Sequence, residues 1–159
     1  MKVWKPPAEN LPNVIDRLKE GITFPLFFQL LSTTEYIDKL TEMVVTLFVP
    51  VEDTLDLIAP EELEEIKSAL KDKDKAKKII ENHLIDEAIS LREMLDIKEL
   101  TTLSGRKIKV DVSCNIREDF EFSIENACFV KAEIENKEIE TANLVCYNGF
   151  IHTIKGIIL

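Results

Sequence analysis

The chain has 159 residues, 45% apolar and 31% charged, with a net charge of −10 and a pI near 4.8. This composition excludes an intrinsically disordered chain and supplies enough apolar side chains for one proper core without disulfide staples. The negative charge argues against wrapping nucleic acid or lying on an anionic membrane, because both would repel it.

No run is apolar enough to span a bilayer, and the start, Met1-Lys2-Val3-Trp4-Lys5-Pro6-Pro7, lacks the apolar stretch of a secretory leader. The expectation is therefore a cytosolic chain or one trimmed of its leader. Cys114, Cys128 and Cys146 show no C-x-x-C spacing and sit in apolar, strand-like runs. They read as small buried hydrophobes; one disulfide is compatible with them and none is required.

The first half has helical periodicity. Val14, Ile15 and Leu18 share a face, and Gly21 stops the segment. Thr23 is expected to cap the next helix, with Pro25 in its first turn and the apolar run Leu26 to Leu31 behind it. Ser32 and Glu35 have capping-box spacing and predict a third helix burying Tyr36, Ile37 and Leu40. The β-branched and aromatic run 44–49 predicts a strand ended by Pro50, because proline cannot extend a ladder. Pro60 opens a helix from Glu61 to Leu70. After the charged run Lys71 to Lys78, the residues Ile79, Ile80, His83 and Leu84 form one helical stripe. Ser90 and Glu93 make a second capping box.

From about Lys98 the period falls to two. Ile108, Val110, Val112 and Cys114 alternate with polar neighbours, as do Phe120, Phe122 and Ile124, which predicts half-buried antiparallel strands. Asn148-Gly149 is the strongest hairpin signal in the chain. With no repeat and no Gly/Ser linker, residues 1–159 read as one α+β domain, helices first and strands second.

Five segments, in order, carry a resemblance. Thr46 to Leu55 is similar to T-x-F-x-P-(T)-(D/N)-x-A-F, Asn82-His83-Leu84-Ile85 to (Y/N)-H-V-V, and Thr102 to Val110 to T-L-x-G-x-x-L-x-V. Asn126 to Ile134 is similar to N-A-x-V-V-x-A-D-I, and Asn148 to Leu159 to N-G-V-I-H-V-I-D-x-V-L-L. Together they resemble the fasciclin domain family. The resemblance implies an α+β, fasciclin-type (FAS1-like) wedge, with N-terminal helices packed on a small, mostly antiparallel β-sheet and the first and last boxes as neighbouring central strands. Thr46, Phe48, Pro50, His83, Gly105, Asn148, Gly149 and His152 hold its signature positions. Lys155 stands where the family has Asp, and Glu135 to Tyr147 reads as an inserted segment.

The same resemblance implies a non-catalytic adhesion or binding module, secreted or at the cell surface, meeting a protein or glycan partner and using no cofactor. In some fasciclin domains an Asp-Ile pair before the last box serves receptor binding; Glu133-Ile134 occupies that place here, and Glu138-Ile139 repeats it. The sequence itself has no G-x-S-x-G, P-loop or G-x-G-x-x-G, so it presents no catalytic apparatus. His83 and His152 lack a metal-binding context and read as buried side chains stitching helix to sheet. The alternative function is a carrier or sensor of a small apolar ligand, because the helix over 24–31 is apolar nearly all round.

Overall fold

The computed structural model describes residues 3–114 and 129–159, so the expected alternation at Phe120, Phe122 and Ile124 and the thiol of Cys128 lie outside the described residues. Five α-helices occur in them: α1 (Val14–Leu18), α2 (Pro25–Ser32), α3 (Tyr36–Lys39), α4 (Pro60–Ala69) and α5 (Lys73–Glu81). Seven strands form the sheet: β1 (Val45–Pro50), β2 (Leu84–Ile85), β3 (Glu99–Thr101), β4 (Lys107–Cys114), β5 (Phe129–Ile134), β6 (Lys137–Cys146) and β7 (Gly149–Ile154).

Local chemistry explains most helix ends. Asn13 Oδ1 accepts the Asp16 N–H at 2.9 Å, and Asp72 Oδ1 accepts those of Asp74 and Lys75. Two expected caps are displaced. Thr23 does not cap α2; its hydroxyl donates to the Pro50 carbonyl at 3.4 Å. Ser32 remains inside α2, donating to the Phe28 carbonyl, and Thr34 Oγ1 accepts the Tyr36 N–H instead. Glu35 is left to pair with Lys39 (3.1 Å) and Lys77 (3.2 Å), which hold its carboxyl below the usual range. α5 also stops short of the expected stripe, at Glu81, so His83 stands just past its end.

The sheet departs from the expected small antiparallel one. Its order is β2-β1-β7-β6-β5-β4-β3, and β1 and β7 run parallel in register from Val45↔Gly149 to Pro50↔Ile154. The two boxes are neighbours, as the resemblance implies. Pro50 is tolerated at the last position of β1 for a geometric reason. Phe48 points its N–H toward the β2 side, to the His83 carbonyl at 2.9 Å, and Pro50, two residues on, faces the same side beyond the end of β2. The ladder to β7 then continues through Val51 N–H to the Ile154 carbonyl.

The sheet rolls until its ends approach, and the Leu103 N–H donates to the Leu84 carbonyl at 3.0 Å, tying the loop after β3 to β2. Each face therefore has its own core. Val45, Leu47, Val49 and Ile151 pack against Phe27, Leu30, Ile66 and Ile80 of the helices. Phe48, Ile154, Ile139, Ile134 and Val110 line the inside of the roll with Ile89 and Met94.

The segment from Glu135 to Tyr147 is not an insertion on the surface. Glu135 and Asn136, both at positive φ (48° and 64°), form a two-residue turn that leads into the ten-residue strand β6, hairpinned to β7. Two register shifts interrupt its ladder, between Ile139 and Thr141 and between Thr141 and Leu144. Side chains of β7 fill the gaps: Thr153 Oγ1 accepts the Thr141 N–H (2.9 Å) and His152 Nδ1 accepts that of Asn143 (3.0 Å).

Candidate functional site

The signature residues converge on the β1–β7 wall. Thr46, wholly buried, donates its hydroxyl to the Glu87 carbonyl (2.5 Å) and accepts the Ile89 N–H (2.7 Å). The strand is thereby fastened to the segment that crosses the roll. Phe48 stacks on the His152 ring with centroids 5.8 Å apart.

Both histidines are bridges in the main-chain hydrogen-bond network. His83 Nε2 accepts the Ile158 N–H at 2.9 Å, so Nδ1 carries the proton and donates to the Ile79 carbonyl at 2.7 Å. One ring thus closes the end of α5 and holds the segment after β7. In His152 the tautomer is reversed: Nδ1 accepts from Asn143 and Nε2–H donates to the Ile89 carbonyl at 2.8 Å. Burial drives the His83 pKa down to about 4, opposed by the Ile79 carbonyl and aided by Lys137 and Arg106. Burial lowers His152 to about 4 as well, opposed by the Ile89 carbonyl. Neutral rings with both nitrogens engaged have no free lone pair for a metal or a substrate proton.

Asn148 is the second fastening point. Only 2% exposed, it accepts the Val14 N–H on Oδ1 (3.0 Å) and donates Nδ2 to the carbonyls of Leu40 and Met43, both at 2.7 Å. It joins the start of α1 to the connection between α3 and β1. The hairpin turn itself is Tyr147–Asn148, one residue earlier than expected, and Asn148 is not at positive φ. Gly149 opens β7 at φ +145°, and a Cβ there would lie 1.8 Å from the Val45 carbonyl oxygen. Close approach of β1, rather than the turn, demands the glycine. At Gly105 (φ +86°) space is open and the conformation alone requires it. There the Thr102 N–H meets the Arg106 carbonyl, and Ser104 Oγ donates to Asn82 Oδ1 at 2.6 Å.

The proposed contact pairs lie elsewhere, on the β5–β6 hairpin. Ile134 and Ile139 point into the roll, 0% and 8% exposed. Glu133 is half-buried and Glu138 exposed; they face each other across the two strands, and Glu138 lies 3.6 Å from Lys155. The strand hairpinned to β7 is β6, and the spacing of N-A-x-V-V-x-A-D-I recurs there at Asn136, Ile139, Ala142 and Leu144. Asn143 therefore stands where the pattern has Asp. It is exposed at φ +59°, and its Oδ1 accepts the Leu91 N–H at 2.8 Å.

Remaining chemistry is sparse. Among the described residues no three His, Cys, Asp or Glu side chains converge as metal ligands. Burial pushes the Cys146 thiol up to about 11, leaving it protonated and unreactive near neutral pH. A cleft of about 640 Å³ opens between α5 and the Ser104–Arg106 turn, remote from α2 in its lining. Phe24, Phe27, Leu30 and Leu31 are all buried in the helix-side core, with Leu26 and Phe28 packed against it. No helix among the described residues is long and apolar enough to cross a membrane.

Comparison with known proteins agrees with this architecture. A solved FAS1 domain pair from the insect cell adhesion molecule Fasciclin I superposes with a TM-score of 0.68 at 17% identity, over 93% of this chain and 51% of that one. This chain thus spans about half the length of that pair. Comparison with curated proteins gives no match. The family model described as the fasciclin domain matches residues 23–159, from the entry to α2 through β7 and beyond. The chain belongs to the fasciclin domain family.

Proposed function

We propose that the whole chain acts as one non-catalytic adhesion or binding module, working outside the cell or at its surface on a protein or glycan partner. The family match over residues 23–159 carries this reading, together with a fold shared with a cell adhesion molecule. The engagement of both histidines and Thr46 in main-chain hydrogen bonds supports it, because the polar groups that would otherwise serve catalysis are used to fix the fold. Within the module, Glu133 and Glu138 on the β5–β6 hairpin are the proposed contacts, with Ile134 and Ile139 supporting them from the core.

A carrier of small apolar ligands using the helix over 24–31 gains no support, since the helix's apolar surface is used by the core. The location is tested by protease shaving of intact source cells. Release of this chain's peptides is expected, and full protection in unlysed cells would overturn the surface assignment. Cell attachment to surfaces coated with the protein tests adhesion, with the Glu133→Gln/Glu138→Gln pair expected to reduce it.

A further inference from the structure

Between β1 and α4, where the first signature box ends, the chain presents an exposed apolar surface. Leu55 is 53% exposed and Leu57 52%, more than any other large apolar side chain among the described residues except Val3. They sit on and beside a 3-10 turn, Glu52–Asp56, whose geometry is fixed from below. Thr54, just before Leu55, is wholly buried, with its hydroxyl donating to the Val51 carbonyl at 2.6 Å. The Thr54 N–H donates to that same carbonyl and the Leu57 N–H to the Thr54 carbonyl, while Ile58 packs on the helix-side core. The turn holds both leucines outward without further ordering, which lowers the entropic cost of binding through them.

The chain on either side of these leucines is acidic. From Leu40 to Ile66 there is no lysine or arginine, and seven carboxylates fall between Glu52 and Glu65. Among the described residues no ion pair involves Glu52, Asp53, Asp56 or Glu61. Other carboxylates do have a cationic partner, as Asp111 has in Lys131 at 2.7 Å. The shoulder therefore combines apolar area with carboxylates that no cation among the described residues pairs. A second copy of this chain would bring the same carboxylates face to face, and an anionic membrane or nucleic acid would be repelled.

We infer that the Glu52–Leu57 shoulder docks a basic, amphipathic segment of a protein partner, its apolar ridge seated on Leu55 and Leu57 and its lysines or arginines set against Glu52, Asp53 and Asp56. The inference rests on the binding-module reading but not on where the module works. A chain found in the cytosol, or one that fails to attach cells, would leave the peptide-binding measurement unaffected.

The probe is a synthetic lysine–leucine peptide that forms an amphipathic helix, compared with a scrambled peptide of the same composition whose leucines share no face. Binding is read by fluorescence anisotropy at low and raised salt on the whole chain. Wild type is expected to bind the amphipathic peptide and to prefer it over the scrambled one. Leu55→Ser/Leu57→Ser should weaken binding by about tenfold or more. Asp53→Asn/Asp56→Asn should weaken it less and flatten its salt dependence. Both leucines are more than half exposed, so the serine pair should keep the wild-type melting temperature and circular dichroism spectrum. Absence of binding, equal binding of the two peptides, or indifference to the serine pair would overturn the inference. So would leucine-dependent self-association in sedimentation, which would identify a second copy as the occupant.

Discussion

In β1 every residue from Val45 to Pro50 is buried, and in β7 all but Phe150 are, whereas β6 carries its exposed and half-buried positions along almost its whole length. The first region is a wall between two cores; the second is a curtain with one face in water. In the wall, polar side chains survive only where each polar atom has a main-chain partner, as in Thr46, His152 and Asn148. Where the curtain meets β5, like charges are tolerated: Glu133 lies between Asp111 and Glu138 across its two neighbouring strands. The difference teaches where this fold is intolerant of change and where it is permissive.

The largest expected effect tests the wall at its tightest point. Gly149→Ala should lower the unfolding free energy by about 3 kcal/mol or more, because the new Cβ meets the Val45 backbone at 1.8 Å and neither strand can retreat from two cores. Urea denaturation checks it, and a loss below about 1 kcal/mol would break the distinction between the regions. In the curtain, Asn136→Gly should be nearly neutral, since asparagine already tolerates its φ of 64°.

Acid tests the wall next. An imidazole titrates near 6.5 in the unfolded chain, while His83 and His152 are each lowered to about 4 by burial. The unfolded state thus binds protons first as pH falls. Stability is full above about pH 6.5, declines through the window down to about 4, and levels off below it, by up to about 3 kcal/mol for each ring. Urea midpoints measured across that range should show the decline, and His83→Gln or His152→Gln should each remove part of the slope.

Asn148→Ala comes next, at about 2–3 kcal/mol, because the Val14 N–H and the Leu40 and Met43 carbonyls lose a buried partner. Smallest is the curtain's own variant. Glu133→Gln should leave stability unchanged or raise it by a few tenths of a kcal/mol at low salt, by relieving like charges on both sides. A large loss there would show that the curtain is as constrained as the wall.

The wall is largely legible in the sequence, and the curtain less so. Signature blocks around Thr46 and His152 announce two apolar strands, and the absence of any metal-binding context around His83 agrees with its role as a bridge. Their parallel pairing is not visible, since no local pattern encodes which distant strand lies alongside. Asn148-Gly149 marks a real hairpin but misplaces its turn, because the glycine answers to Val45 across the sheet rather than to the turn. β6 escapes notice for a different reason. Its two register shifts put Ile139, Ala142, Leu144 and Val145 out of strict alternation, and a strand that breaks period two looks like loop. As for the candidate contacts, the resemblance that singles out Glu133 and Glu138 does not say that their isoleucines face inward.

The parallel register of β1 with β7 also constrains the order of events during folding. Val45 and Gly149 are about a hundred residues apart in the chain, yet β7 separates β1 from every other strand of the sheet except β2. Until β7 has been synthesised, β1 has only the two residues of β2 beside it and one of its edges is bare. A nascent chain therefore carries an apolar, unpaired strand through most of its translation, the state most open to misassembly and most in need of chaperone cover.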